Sequence, residues 1–350
     1  MSSRRYILLD GMRGIAALSI MIYHLCLNGK WWASGFNIFV DFFFVLSGFV
    51  LSPSLASTKT NYKRKFILNR MIRLFPMIVM FFIALIALKI IKLLLPQVSL
   101  IVDGHNPSLF IYFGAFFLLQ IFYAPFIQVN VPLWSLSAEM FVNFLAIGIS
   151  QKFQKEKILF FIVGGIVIEF FGLFINRKLN LGWGVIEYLI AVGRVISGFY
   201  IGKLLYKNLT RNFYHFRSSV KRLLFFLGLF FLNFYLFNIS TYFILSASPI
   251  CYLFIRELAN FDESILPRKF QRVCTYMGRV SYGIYVWHLM IARIDVSGFT
   301  AKYFSFAGTG LIHSLVKNVF SLILVLVFTE FSIRLMEQPI RKWAVRKLPA

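Results

Sequence analysis

Apolar stretches long enough to cross a bilayer as helices recur along the whole chain, and this constrains its fold more than any other feature. They fall at about 11–28, 37–54, 71–95, 134–150, 158–175, 185–205, 223–240, 242–257, 280–296 and 311–333. About 20 helical residues match a hydrocarbon core of roughly 30 Å. In lipid the backbone must satisfy its own polar groups, which a helix does internally. The chain is 59% hydrophobic and only 14% charged, with mean hydropathy +0.76. The reading is an all-α membrane protein, a bundle of about ten transmembrane helices. No cleavable leader is indicated, because the first apolar stretch is long, carries Arg13 and lacks a small-residue cleavage site. Cys26, Cys251 and Cys274 show no paired spacing, so neither a disulfide framework nor a metal site is suggested. Residues 1–350 read as one membrane domain, with no soluble domain appended.

A net charge of +24 could point to nucleic acid, but its distribution points to the lipid bilayer. With the N-terminus in the cytoplasm, 28 of the 37 Lys and Arg residues fall on the cytoplasmic side. That count depends on residues 109–127, which are apolar enough to span. If they crossed, four basic loops after residue 150 would lie outside. They are therefore expected to be a re-entrant or interfacial segment, broken near Pro125 and Pro132. Both termini are then cytoplasmic. There is no internal repeat or low-complexity linker.

Ionisable residues inside lipid are costly and mark candidate functional sites. Arg13 and His24 are 11 residues apart on the first helix, close to whole turns, so they share a face. They stand roughly 16 Å apart along the axis. The plainer alternative is an interfacial Arg and a core His bonded to a carbonyl. Arg70 and Arg73, at i and i+3, present forked donors suited to phosphate at the apolar boundary. The alternative is charge anchoring, which would account for Lys63, Arg64 and Lys65. Ser135, Glu139 and Asn143 make one polar stripe on the fourth span. Glu139 is expected beside His24, orienting its imidazole; the alternative is a structural pair with an Arg such as Arg194. Ser281, Tyr285 and His288 share a face of the ninth span, with Tyr282 adjacent. Glu187 and Arg194, seven apart, read as a buried ion pair, and Asp10 is placed to pair with Arg13. Asp41 is a membrane carboxylate without an assigned partner.

These clusters, taken in order, resemble acyltransferase family three, the integral-membrane O-acyltransferases. Asp10-Gly-Met-Arg13-Gly-Ile-Ala-Ala with His24 resembles its first-helix signature. Asp41-Phe-Phe-Phe-Val-Leu-Ser47-Gly48-Phe resembles its second helix, and Arg70-Met-Ile-Arg73-Leu-Phe-Pro its Arg-x-x-Arg motif. Trp134-Ser-Leu-Ser-Ala-Glu139, Ser281-Tyr-Gly-Ile-Tyr-Val-Trp-His288 and Glu337-Gln-Pro339 also fit. Each motif is weak alone; six in order across nearly the whole chain are specific. The resemblance implies O-acetylation of an extracytoplasmic glycan by a multi-pass protein of the bacterial inner membrane. Lipopolysaccharide O-antigen, exopolysaccharide, peptidoglycan, a lipid-linked glycan and a small glycoside all remain open as acceptors. Acetyl-CoA is the implied donor substrate, and no bound cofactor is implied. Many relatives carry a soluble esterase-like domain after the bundle, so a separate periplasmic partner could supply that role here.

On this reading Arg13, Arg70 and Arg73 bind the acyl-CoA phosphates, and His24, oriented by Glu139, is base or nucleophile. Ser135, Ser281, Tyr282, Tyr285, His288 and Arg194 are candidate contacts to thioester or acceptor. Asp10, Asp41 and Glu187 are structural. A transporter or flippase for a glycan or acyl intermediate would also need intramembrane Arg, Glu and His, but no inverted repeat supports it. A phosphotransferase is disfavoured, for no carboxylate pair is placed to hold Mg²⁺.

Overall fold

A computed structural model describes residues 5–25, 31–56, 61–95, 107–149, 156–176, 185–210, 220–292, 294 and 311–347. Among these residues the secondary structure is helical throughout, with no strand. The helices in chain order are α1 (Ile7–Leu25), α2 (Ile38–Leu55), α3 (Tyr62–Leu94), α4 (Leu109–Phe116), α5 (Leu133–Gly148) and α6 (Ile158–Asn176). They continue as α7 (Val185–Thr210), α8 (Val220–Ile239), α9 (Ala247–Ala259), α10 (Arg268–Ala292), α11 (Leu311–Ser332) and α12 (Gln338–Lys347). A π-helical turn, Ile333–Glu337, joins α11 to α12.

Ten of these helices match the ten apolar stretches in position. Among the described residues, eight helical segments are long and apolar enough to cross a membrane, making this a multi-pass membrane protein. The other two matches differ in character. Helix α5 is apolar but only 16 residues long. Helix α10 runs 25 residues and carries Arg268, Lys269, Arg272 and Arg279 in its first half. Helix bounds also depart from hydropathy bounds. Helix α3 begins at Tyr62, before its apolar stretch, so Arg70 and Arg73 lie well inside a continuous helix of 33 residues. Hydropathy marks where lipid begins, whereas backbone hydrogen bonding carries the helix past that point.

Residues 109–127 form no spanning helix. Helix α4 has eight residues, about 12 Å, against a hydrocarbon core of about 30 Å. The break comes at Phe117–Tyr123, before Pro125, where Leu118 adopts a left-handed backbone with φ 57°. Ser137 of α5 holds the break in place. Its Oγ donates to the Leu118 carbonyl at 2.6 Å and accepts from the Ile121 N–H at 2.9 Å. Pro125 sits in the following 3-10 turn, Ala124–Val129, and Pro132 caps α5.

Two close helix pairs position the polar residues. Helix α1 lies along α10, with Gly11 and Gly14 against Cys274 and Met277 and with Gly278 against Asp10. Helix α2 lies along α7, with Gly48 against the Phe199 carbonyl and Gly202 against that of Val45. A Cβ at Gly48 or Gly202 would collide with the facing backbone. Small residues permit such approach between membrane helices, where apolar burial alone does not drive association. Phe and Leu side chains cover the outward faces of α6 and α8, among them Phe160, Phe171, Phe174, Leu224 and Phe225, all exposed as a lipid solvent would favour.

Candidate active site

A cavity of about 150 Å³ opens among α1, α2, α3, α5 and α10. Its mouth carries Val50 and Arg73, both exposed, and the half-buried Arg13. Deeper lie Arg70, Ser47 and Glu139. The far end holds Phe43, Ser135 and Tyr285. Thus Arg13, Arg70, Arg73, Ser135, Glu139, Ser281, Tyr282 and Tyr285, spread across four helices in the sequence, line one space.

Each arginine is held differently. Arg70 is buried and paired with Glu139, which also accepts from Ser47 Oγ at 2.6 Å. Its Nε is buried without a partner among the described residues, so part of its donor fork is unspent. Arg13 reaches Asp10 at 3.5 Å and Ser281 Oγ at 3.4 Å. Asp10 also accepts from Arg5 at 2.8 Å. Arg73 interacts electrostatically with Glu337 of the π turn. Packing of that turn on α3 brings the C-terminal Glu337-Gln-Pro339 motif to the mouth. Tyr282 donates to the Leu74 carbonyl at 2.8 Å, fixing α10 to α3.

The deep end leads toward the histidines. Tyr285 OH and Ser135 Oγ are 2.6 Å apart, and Tyr285 also donates to the Pro132 carbonyl at 3.1 Å. One turn on, His288 stacks on His24, with ring centroids 5.4 Å apart and planes at 25°. Arg13 and His24 therefore both face α10, at its Ser281 and His288. His288 Nδ1 lies 3.1 Å from the Ile284 carbonyl. A carbonyl only accepts, so Nδ1 carries the proton and Nε2 a lone pair. That Nε2 is buried without a partner among the described residues. Neither histidine lines the cavity; Tyr285 stands between.

One expected pairing differs, and one carboxylate expected without a partner has one. Glu139 does not orient His24: it binds Arg70 and Ser47, because α5 presents its stripe to α2 and α3. His24 instead meets His288 and Tyr23. Arg194 pairs with Asp41. Its Nε and Nη2 bind the two Asp41 oxygens at 3.0 and 2.7 Å, and Nη2 also reaches the Asn37 carbonyl at 3.1 Å. Both are almost wholly buried, so Asp41 has a partner and Arg194 serves the α2–α7 contact rather than the cavity. The side chain of Glu187 lies outside the described residues. Two residues escaped sequence reasoning. Ser47 was visible only as part of a motif, not as a ligand of Glu139. Glu169, the one charged residue in α6, is buried within electrostatic reach of Asp41 and Arg194. Its isolation in an apolar helix was the available signal.

A multi-pass helical protein with an arginine-lined cavity among its spans is thus defined. The chain matches the acyltransferase domain model over residues 6–331, and it belongs to that family. A Staphylococcus aureus (strain COL) protein whose name makes it a candidate O-acetyltransferase is 25% identical over 370 residues, covering 97% of this chain and 58% of the relative. A Bacillus subtilis (strain 168) candidate peptidoglycan O-acetyltransferase, YrhL, is 43% identical over 72 residues, 19% of this chain and 11% of that one. The O-acetyltransferase OatA of S. aureus (strain NCTC 8325 / PS 47) is 47% identical over 58 residues, 16% of this chain and 9% of that one. The chain spans little more than half the length of the S. aureus (strain COL) relative. No solved structure matches it.

Proposed function

We propose that this protein moves an acetyl group from cytoplasmic acetyl-CoA to a hydroxyl of an extracytoplasmic glycan, working in the bacterial inner membrane. The observation that carries this reading is one cavity that joins Arg13 and Arg73 at its mouth, by way of the deeper Arg70, to the Tyr285–Ser135 pair, beside the His288–His24 stack. Guanidinium groups suit the phosphates of coenzyme A. The thioester arm enters past Arg70 toward Tyr285. The acceptor oxygen attacks the thioester carbonyl, the carbon–sulfur bond breaks, and CoA leaves as the thiolate. The acceptor approaches from the histidine side of Tyr285 and gives its proton to His24, and the thiolate is protonated on the cytoplasmic side. One hydroxyl of the Tyr285–Ser135 pair, by turning its proton from the Pro132 carbonyl, donates to the thioester carbonyl oxygen as charge develops on it. Glu139 holds Arg70 in register and does not touch the imidazole. The names of the relatives support acetyl as the group and peptidoglycan as one acceptor class.

The test uses inner-membrane vesicles containing the protein and acetyl-CoA labelled in the acetyl carbon. Labelled glycan, with equimolar CoA release, is the expected result. Mass spectrometry of surface glycans with and without the gene then identifies the acceptor. No label transfer from acetyl-CoA to any glycan fraction by well-expressed protein would refute the proposal.

A further inference from the structure

The geometry points to Phe43 as the residue that limits the length of the acyl group, an inference that rests on the acyl-CoA reading. The cavity runs along α2 from Val50 at the mouth to Phe43, seven residues or roughly 10 Å. Val50 is 53% exposed, whereas Ser135 and Tyr285 at the other end are 7% and 6% exposed. Phosphates held by the arginines at the mouth would therefore leave the acyl group pointing at the deep end.

Phe43 differs from its neighbours there. Phe42 is buried in helix packing away from the cavity, and Phe44 lines it but is buried, while Phe43 is half-buried and lines it at the last α2 position. Its ring meets that of Tyr285 edge-on, centroids 6.0 Å apart at 71°. Tyr285 is itself fixed by Ser135 and the Pro132 carbonyl. The wall beside the expected thioester position is thus one aromatic side chain backed by an immobilised one. The size is also informative. A cavity of about 150 Å³ holds a benzene-sized guest, roughly six heavy atoms. Because that volume covers the whole cavity, and the thioester arm must share it, no room is left for a long acyl chain at the Phe43 end.

The experiment is competition binding of CoA and of acetyl-, butyryl- and hexanoyl-CoA against labelled acetyl-CoA on detergent-solubilised protein. Wild type should bind acetyl-CoA best among the thioesters. Longer chains should lose affinity by roughly tenfold or more, the scale of discrimination that hydrophobic pockets apply to methylenes. Phe43→Ala should bring hexanoyl-CoA to within a few-fold of acetyl-CoA, and Phe43→Leu should fall between. Phe43→Leu also keeps the question open to test if the Ala variant does not fold, with monodisperse elution as the check. An unchanged chain-length ranking in a folded Phe43 variant overturns the inference and leaves the donor reading standing. Equal wild-type affinity for all chain lengths does the same. If wild type binds neither CoA nor any thioester, the proposed function itself fails.

Discussion

Arg70→Lys separates a phosphate-reading arginine from a charge anchor. In the structure Arg70 spends one Nη2 donor on Glu139 and keeps Nε unpaired among the described residues. A lysine there can still neutralise Glu139, whose other partner is Ser47. As a point charge without a planar fork, it cannot hold Glu139 and a phosphate oxygen in the same geometry. One lost charge-assisted hydrogen bond is worth about 1.5–3 kcal/mol, roughly ten- to a hundredfold in affinity. Arg70→Ala adds a second loss, because it strands the Glu139 charge. Stranding one partner of a buried pair costs about 3–5 kcal/mol. With its side chain 18% exposed and Ser47 still bonded, Glu139 should fall at the lower end. Arg70→Lys should therefore keep wild-type thermal stability in detergent while weakening acetyl-CoA binding in a titration. Arg70→Ala should lose both. Wild-type affinity in Arg70→Lys would show that the fork reads nothing and that Arg70 is an anchor for α5.

Three further outcomes test other parts of the structure. His24→Ala should abolish transfer while leaving acetyl-CoA affinity nearly unchanged, since His24 lies roughly 16 Å along α1 from Arg13; near-normal glycan acetylation by a well-expressed variant would end its assignment as base. Asp41→Ala should destabilise the fold by about 3–5 kcal/mol, because it strands Arg194, which is wholly buried; a double-mutant cycle with Arg194→Ala that shows no coupling would refute that account. In a variant whose native cysteines are replaced, cysteines introduced for Lys152, Lys207 and Lys269 should resist a membrane-impermeant thiol reagent in intact cells. Labelling at all three would place these positions outside, and residues 109–127 across the membrane.

Much of the fold was legible because bilayer chemistry is one-dimensional. A helix that must satisfy its own backbone and meet lipid writes its length and apolarity into a local run of residues. The interruption of residues 109–127 was legible from the charge of distant loops, since a crossing would have reversed every later one. Its position was not. Proline marked Pro125 and Pro132, but the chain turns at Leu118, where Ser137 accepts and donates across the break.

The site divides the same way. The sequence by itself determined which residues are costly enough in lipid to need a reason: Arg13, His24, Asp41, Arg70, Glu139, Arg194 and His288. Spacing on single helices also placed Arg13 with His24, and Ser281 with Tyr285 and His288, on shared faces. Partners across helices were decided only by tertiary packing. Glu139 bonds Arg70 rather than orienting His24, Asp41 meets Arg194, and His288 stacks on His24. The physical reason is that helical periodicity fixes an azimuth on one helix and carries no information about its neighbour. That information resides in the close approaches at Gly14, Gly48, Gly202 and Gly278, which set the depth and rotation of α1 against α10 and of α2 against α7.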